Sequence, residues 1–208
     1  NVIPECPISE IVEIAKEAEM LGFSRCWVYD EGLATRDVYV VMSAIASATQ
    51  NIEIGPGITN PYTRHPAQTS MAIASLDELS QGRAFLGIGA GGSLTLNPLA
   101  IERKKPLSAV RDTISIARKL FSGQQTSYQG SIASLKNAQI KFARPDIEIW
   151  LAGRGPRMLA LGGEKADGVM LDFIYKPQIA EYVQRIRKNG NAKICYSTAI
   201  VTEKEDLE

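Results

Sequence analysis

The sequence predicts an α/β protein, a (β/α)8 barrel of the TIM type, and two observations carry that reading. Short β-branched or apolar runs alternate with longer segments of helical period, the mark of βα units on a parallel sheet. Seven such runs occur, with proline or glycine punctuating the helical segments between them. At 208 residues the chain is shorter than the roughly 250 that an eight-unit barrel uses. The expectation is one barrel domain over residues 1–208 that lacks its last βα unit. A barrel open at that point exposes two unpaired edges, so the chain is a fragment, or its end is missing, or it is a reduced relative that closes differently. A doubly wound open sheet is the alternative, disfavoured because no G-x-G-x-x-G follows the first strand.

The predicted strands are Asn1–Ile3, Arg25–Tyr29, Ile52–Gly55, Ala84–Ile88, Ile147–Ala152, Gly168–Leu171 and Lys193–Val201. Between the first two, Ile11, Ile14, Ala15, Ala18 and Leu21 fall on one helical stripe, with Ser9 placed as N-cap and Gly22 as the left-handed stop. Further helices are predicted over Val38–Ala48, over Pro66–Ser80 with Gly82 beyond it, and over Pro106–Phe121, where Val110, Ile114, Ala117 and Phe121 share a face. From Ser122 to Asp146 the pattern gives way to polar, glycine-containing sequence with scattered Leu135, Ile140 and Phe142. That stretch, 122–146, is long for a βα connection and reads as an insertion in which a small hairpin could form. Met158–Glu164 and Pro177–Lys188 supply two more helices around the strand at Gly168–Leu171.

Composition narrows the function. With 45% hydrophobic and 22% charged residues the chain has material for a core and too little charge for disorder. Lys+Arg and Asp+Glu balance at 23 each, so no global field draws in nucleic acid or an anionic membrane. Cys6, Cys26 and Cys195 lie far apart and form neither a C-x-x-C pair nor a disulfide framework. Pro4, Glu5 and Pro7 stand where a leader would need basic and apolar residues, so a cytoplasmic location is expected. The longest apolar run, Val38–Ala48, is interrupted by Ser43 and Ser47 and falls short of the ~20 residues of a membrane span. The absence of H-E-x-x-H, Cys/His-cluster, G-x-S-x-G and Walker patterns argues against a metal centre and against serine-hydrolase chemistry.

In a βα barrel the chemistry sits at the carboxyl ends of the strands. Glu5 follows the first strand, and Asp30 and Glu31 end the second. Carboxylates there could be acids, bases or substrate anchors if burial raised their pKa values, or plain solvated loop groups. Neighbouring strand residues alternate sides, so one of Asp30 and Glu31 should face the mouth. After the third strand, Gly55-Pro56-Gly57-Ile58-Thr59-Asn60-Pro61-Tyr62-Thr63-Arg64-His65-Pro66 permits a bulge against a flat ligand. His65, directly before Pro66, is open between ligand contact and a role at the helix entry. The fourth strand runs into Gly87-Ile88-Gly89-Ala90-Gly91-Gly92-Ser93, which either lets backbone approach a ring or phosphate or makes an ordinary corner. After the fifth, Gly153-Arg154-Gly155-Pro156-Arg157 gathers N–H donors, a positive helix end and two guanidinium groups into an anion site, against the alternative of a turn with surface arginines. The residues thus describe a glycine-lined, anion-binding mouth suited to a phosphorylated cofactor.

The run Leu76-Asp77-Glu78-Leu79-Ser80-Gln81-Gly82-Arg83, leading into Leu86-Gly87-Ile88-Gly89-Ala90-Gly91, resembles the signature of the bacterial luciferase-like superfamily. The stretch Gly55–Pro66 is similar to the branch that uses the deazaflavin coenzyme F420, and the likeness runs from the first strand to about Asp172. The resemblance implies F420, or FMN in the alternative, lying across the carboxyl end of the barrel in a homodimer. It implies a non-prolyl cis peptide at Gly57-Ile58 behind the coenzyme ring, and coenzyme contacts at Gly57, Ile58, Thr59, Asn60, Gly89, Ala90, Gly91 and Thr95. The loop Ala152, Gly153, Arg154, Gly155 and Pro156 matches the family's coenzyme-phosphate loop. The implied reaction passes a hydride between the deazaflavin and a small organic or pterin-like substrate. Two departures bear on the proton: Asp30-Glu31 fall where relatives often carry Asp-His, and Gly92 falls where several carry an acidic residue. Glu31, Asp30 or Glu5 must then move the proton, Glu31 first among them, or the substrate takes a bare hydride and is protonated from water. An FMN-dependent monooxygenase and a non-catalytic flavin-binding protein are the competing expectations.

Overall fold

In the computed structural model, which describes residues 1–198, strands and helices alternate except over 93–121, where helix follows helix, and over 126–152, where three strands follow one another. The order is α1 (Ile8–Met20), β1 (Arg25–Val28), α2 (Val38–Ala48), β2 (Glu53–Pro56), α3 (Pro66–Leu79), β3 (Leu86–Ile88), the single turn α4 (Ser93–Leu96) and α5 (Pro106–Phe121). Then come β4 (Thr126–Gln129), β5 (Ser134–Ala138), β6 (Ile149–Ala152), α6 (Pro156–Lys165), β7 (Gly168–Asp172), α7 (Ile179–Arg187) and β8 (Lys193–Ser197). Each barrel strand lies parallel to the next in chain order: Val2 bridges Val28, β1 pairs β2, Ile54 bridges Ala84 ahead of β3, and β3, β6, β7 and β8 form one sheet. The Asn1 side chain donates to Ser197 Oγ, which brings the first and last of these positions together.

Several boundaries differ from the sequence expectation, each for a local reason. The first strand, expected over Asn1–Ile3, is reduced to the bridge at Val2. Ser9 is not the N-cap of α1; the Pro7 carbonyl takes the first bonds, from Glu10 and Ile11, so the helix begins at Ile8. Gly22 does take the left-handed turn after it, at φ +85°. The buried stripe of α1 is narrower than expected: Ile11 and Ala15 are buried, while Ile14 and Leu21 are exposed. All four expected core residues of α5 are buried. Residues 199–201 of the predicted last strand lie outside the described residues. The 122–146 stretch does hold an antiparallel hairpin, β4 with β5. Buried Asp112 of α5 ties that hairpin down, accepting from Tyr128 Oη at 2.9 Å and from the Ile132 N–H at 2.7 Å.

Large rings fill the interior because the strands beside them carry no side chain. The register sets Trp27 against Gly55, and Trp150 between Gly87 and Gly168. A Cβ on Gly168 would lie 2.3 Å from the Trp150 ring, and one on Gly55 would lie 2.4 Å from Phe85. Trp27 meets Phe85 and Trp150 edge to face, with centroids 4.4 and 5.4 Å away, a geometry that the ring quadrupoles favour. Below them, at the amino ends of the strands, the Arg25 guanidinium lies 4.7 Å from the Trp150 ring centroid and 4.8 Å from that of Phe85. Arg25 also pairs with Glu53 and, at 3.0 Å, with Glu148, which in turn takes Lys193. This network links β1, β2, β8 and the residue before β6, and closes the floor of the barrel.

The signature stretch Leu76–Arg83 works at the same end, away from the strand mouths. Arg83 donates to Ser80 O, Thr49 Oγ1, Ile52 O, Ala46 O and Thr49 O at 2.7–3.1 Å, so it caps the end of α2. Asp77, buried, holds Arg144 with both oxygens, at 3.0 and 3.1 Å, and accepts from the Ala84 N–H at 3.2 Å. These side chains hold helix ends and turns at the amino ends of the strands.

Two outcomes follow from these bonds. Arg83→Met should cost about 2–4 kcal/mol in urea denaturation, since it leaves several carbonyls without a donor. Burial opposes ionisation of Glu148, but Lys193, the Trp150 indole and Arg25 together hold its carboxyl down to about 2 from 4.5. A group depressed on folding stabilises above its unfolded pKa and loses that contribution as pH falls. Stability should therefore fall between about pH 4.5 and 2, and Glu148→Gln should flatten that part of the acid-unfolding curve.

Candidate active site

At the carboxyl ends of the strands lies a cleft of about 520 Å³, and each wall is the stretch that follows one strand. Tyr29, Asp30 and Glu31 come after β1, Gly57, Ile58 and Asn60 after β2, and residues 90–95 after β3. Ala152, Gly153 and Arg154 close the end of β6, Met170 and Asp172 come from β7, and Arg103 reaches in from the segment before α5. Of the residues expected from sequence, Asp30, Glu31, Gly57, Ile58, Asn60, Ala90, Gly91, Thr95, Ala152, Gly153 and Arg154 line this one space. Thr59 and Gly89 are buried behind it, and Gly155 and Pro156 stand exposed just beyond Arg154. Glu5 is exposed and outside the lining. His65 is also outside it: its Nδ1 accepts from the Ala67 N–H at 3.2 Å and caps α3.

The backbone after β2 changes partner as it enters the cleft. The Gly57 N–H donates to Val28 O at 2.7 Å, whereas the Thr59 N–H donates to Gly87 O and Thr59 O accepts from Gly89, both at 3.0 Å. The Gly57-Ile58 peptide between them is cis. Asn60 Oδ1 then accepts from the Tyr62 and Thr63 N–H groups at 2.9 and 3.0 Å and sets the next turn. The glycine cluster divides in two. A Cβ on Gly87 would sit 2.0 Å from Pro56 O, and one on Gly89 would sit 1.9 Å from Ile58, so these glycines let the bulge pack on β3 and are not openings for a ligand. Gly92 and Gly155 meet nothing within 4 Å, and there a ligand can approach the main chain.

Both Asp30 and Glu31 line the cleft, where strand alternation predicted one. The strand has already ended at Val28, and the chain turns at Glu31 (φ −102°, ψ 23°), so alternation no longer applies. Burial pushes the Asp30 carboxyl up, against the hydrogen bond from Thr59 Oγ1 at 2.6 Å that favours its charged form. Burial likewise pushes the Tyr29 phenol up, with the charge of Asp172 adding to it. Arg154 donates to Asp172 O at 3.1 Å and Arg103 to Gly91 O at 2.9 Å, which fixes a cation at each of two loops. Ile58, Ala90, Ala152 and Met170 provide apolar wall between them. A flat ring with an anionic extension fits that combination. Tyr29, Arg103 and Asp172 were not singled out from sequence; inspection of the residue just past the Gly168–Leu171 run would have found Asp172.

The profile of the luciferase-like monooxygenase family matches residues 3–206. The 5,10-methylenetetrahydromethanopterin reductase of Archaeoglobus fulgidus is 38% identical over 170 residues, 82% of this chain and 51% of the relative. The enzyme of the same name from Methanolobus tindarius is 35% identical over 184 residues, 88% of this chain and 56% of its own. The chain thus spans about half the length of these curated relatives. Among solved structures, the coenzyme F420-dependent tetrahydromethanopterin reductase of Methanopyrus kandleri superposes with a TM-score of 0.87 at 28% identity, covering 94% of this chain and 62% of that one.

The division of the glycines is testable by substitution. Gly87→Ala should destabilise the protein by roughly 1–3 kcal/mol in thermal or urea unfolding, because main chain must move to admit the Cβ. Gly92→Ala, at φ −93° with open space around it, should leave stability unchanged.

Proposed function

Because the chain belongs to the luciferase-like monooxygenase family, we propose that it is a coenzyme F420-dependent oxidoreductase that passes a hydride between the deazaflavin and a pterin-like substrate. The observation that carries this reading is the convergence, in one cleft at the carboxyl ends of the strands, of the Gly57–Asn60 bulge, the Ala90–Thr95 loop and the Ala152–Arg154 loop. The relatives' names supply the coenzyme and the substrate class. The deazaflavin, when bound, supplies the hydride.

In this proposal Gly57, Ile58, Asn60, Ala90, Gly91 and Thr95 hold the ring, with Thr59 and Gly89 packed behind them. Gly153, Arg154 and Gly155 take the phosphate with their N–H groups and the Arg154 guanidinium, between Ala152 at the end of β6 and Pro156 at the start of α6. Reducing a methylene bridge between two nitrogens to a methyl group needs one hydride at carbon and one proton at the nitrogen released. Glu31 is assigned to deliver that proton, with Asp30, partly held by Thr59, as the second carboxyl of the site. Glu5, outside the cleft, has less support. A homodimer and a cytoplasmic location belong to the same proposal; no helix among the described residues is long and apolar enough to cross a membrane.

A paired titration with F420 and FMN tests the coenzyme. Tight F420 and weak FMN binding is expected, and the reverse would move the protein to flavin-dependent oxygen chemistry. Glu31→Gln should lower turnover by at least about 100-fold with F420 affinity unchanged, as expected for loss of a general acid. Unchanged turnover would remove Glu31 from the mechanism.

A further inference from the structure

We propose that Asp172 is the carboxylate that recognises the substrate, accepting the adjacent amino and ring N–H donors of a pterin-type pyrimidine edge. This rests on the pterin reading above and adds to it a residue outside the motifs that carried it. Asp172 ends β7 and faces the cleft together with Met170, two residues earlier on the same side of the strand. Met170 packs into the Trp27, Phe85 and Trp150 layer, which places Asp172 one pleat nearer the mouth.

The Oδ1 atom of Asp172 is buried and has no hydrogen-bond partner among the described residues. A buried carboxylate oxygen without a donor is costly, and a ligand that brings the donor relieves that cost. The neighbouring cation does not do so: Arg154 donates to the main-chain carbonyl of Asp172, which fixes the strand end and leaves the carboxylate to the cleft. The sign of the charge selects among ligand groups. An anionic coenzyme tail is repelled. The deazaflavin's own pyrimidine edge offers one N–H between two carbonyl oxygens, a poor match for a carboxylate. A pterin edge offers two N–H donors side by side, which the two oxygens accept together once the side chain turns Oδ1 from its buried position into the cleft.

The test is calorimetric titration of the full chain, wild type, Asp172→Asn and Asp172→Ala, with tetrahydromethanopterin and separately with F420. Both substitutions should weaken pterin binding by about 10- to 100-fold, the loss expected for hydrogen bonds to a charged group, and leave F420 affinity unchanged. Retained F420 binding also shows that the variants fold. Pterin affinity that does not change, a wild type that binds no pterin, or a loss confined to F420 would each overturn the assignment. If wild type binds pterin through Asp172 but does not bind F420, the coenzyme reading fails and this one stands.

Discussion

The layer of Trp27, Phe85 and Trp150 inside the barrel is possible only because Gly55, Gly87 and Gly168 stand beside the rings. Parallel strands of other composition would bring a Cβ into each ring, so side-chain size fixes the strand register as firmly as the main-chain ladder does. On one side of the layer, Arg25 and its carboxylates close the amino ends of the strands. On the other side, Met170 joins the rings to the cleft, whose walls are then held at a set distance from a rigid floor.

That arrangement separates stability from chemistry along the strand axis. Asp77, Arg83 and Arg144 bind helix ends and turns at the amino side, where they hold the β2–β3 region in place. The carboxyl side carries Asp30, Glu31 and Asp172 with Arg103 and Arg154, alongside the apolar wall of Ile58, Ala90, Ala152 and Met170. The most recognisable part of the sequence, Leu76–Arg83, is thus scaffold, and the reactive end is built from loops that differ in composition from one strand to the next. Within the glycine cluster the same division holds, since Gly87 and Gly89 serve packing and Gly92 opens onto the cleft.

The alternation of βα units was legible because β-branched runs and amphipathic helices have different periods, and the buried face of α5 follows directly from that pattern. The place of Gly153 and Arg154 at the cleft was legible because glycine, arginine and a helix start coincide in sequence just past a strand. The cis peptide at Gly57-Ile58 was expected only through family resemblance, since no local pattern specifies it. What sequence concealed were the long-range pairings. Nothing near Arg25 announces Glu148, 123 residues away, and nothing near Asp172 announces that Arg154 takes its carbonyl and leaves its carboxylate in the cleft. Strand alternation misleads at Asp30 and Glu31, because the strand ends at Val28 and the chain turns at Glu31.

The proposed reaction passes a hydride directly between the deazaflavin ring carbon and a substrate carbon. Reduced F420 labelled with deuterium at its reactive ring carbon, incubated with the protein and methylenetetrahydromethanopterin, tests it most directly. The account predicts one deuterium in the methyl group of the product, by mass spectrometry. Product without the label, or label found in water, would contradict direct transfer.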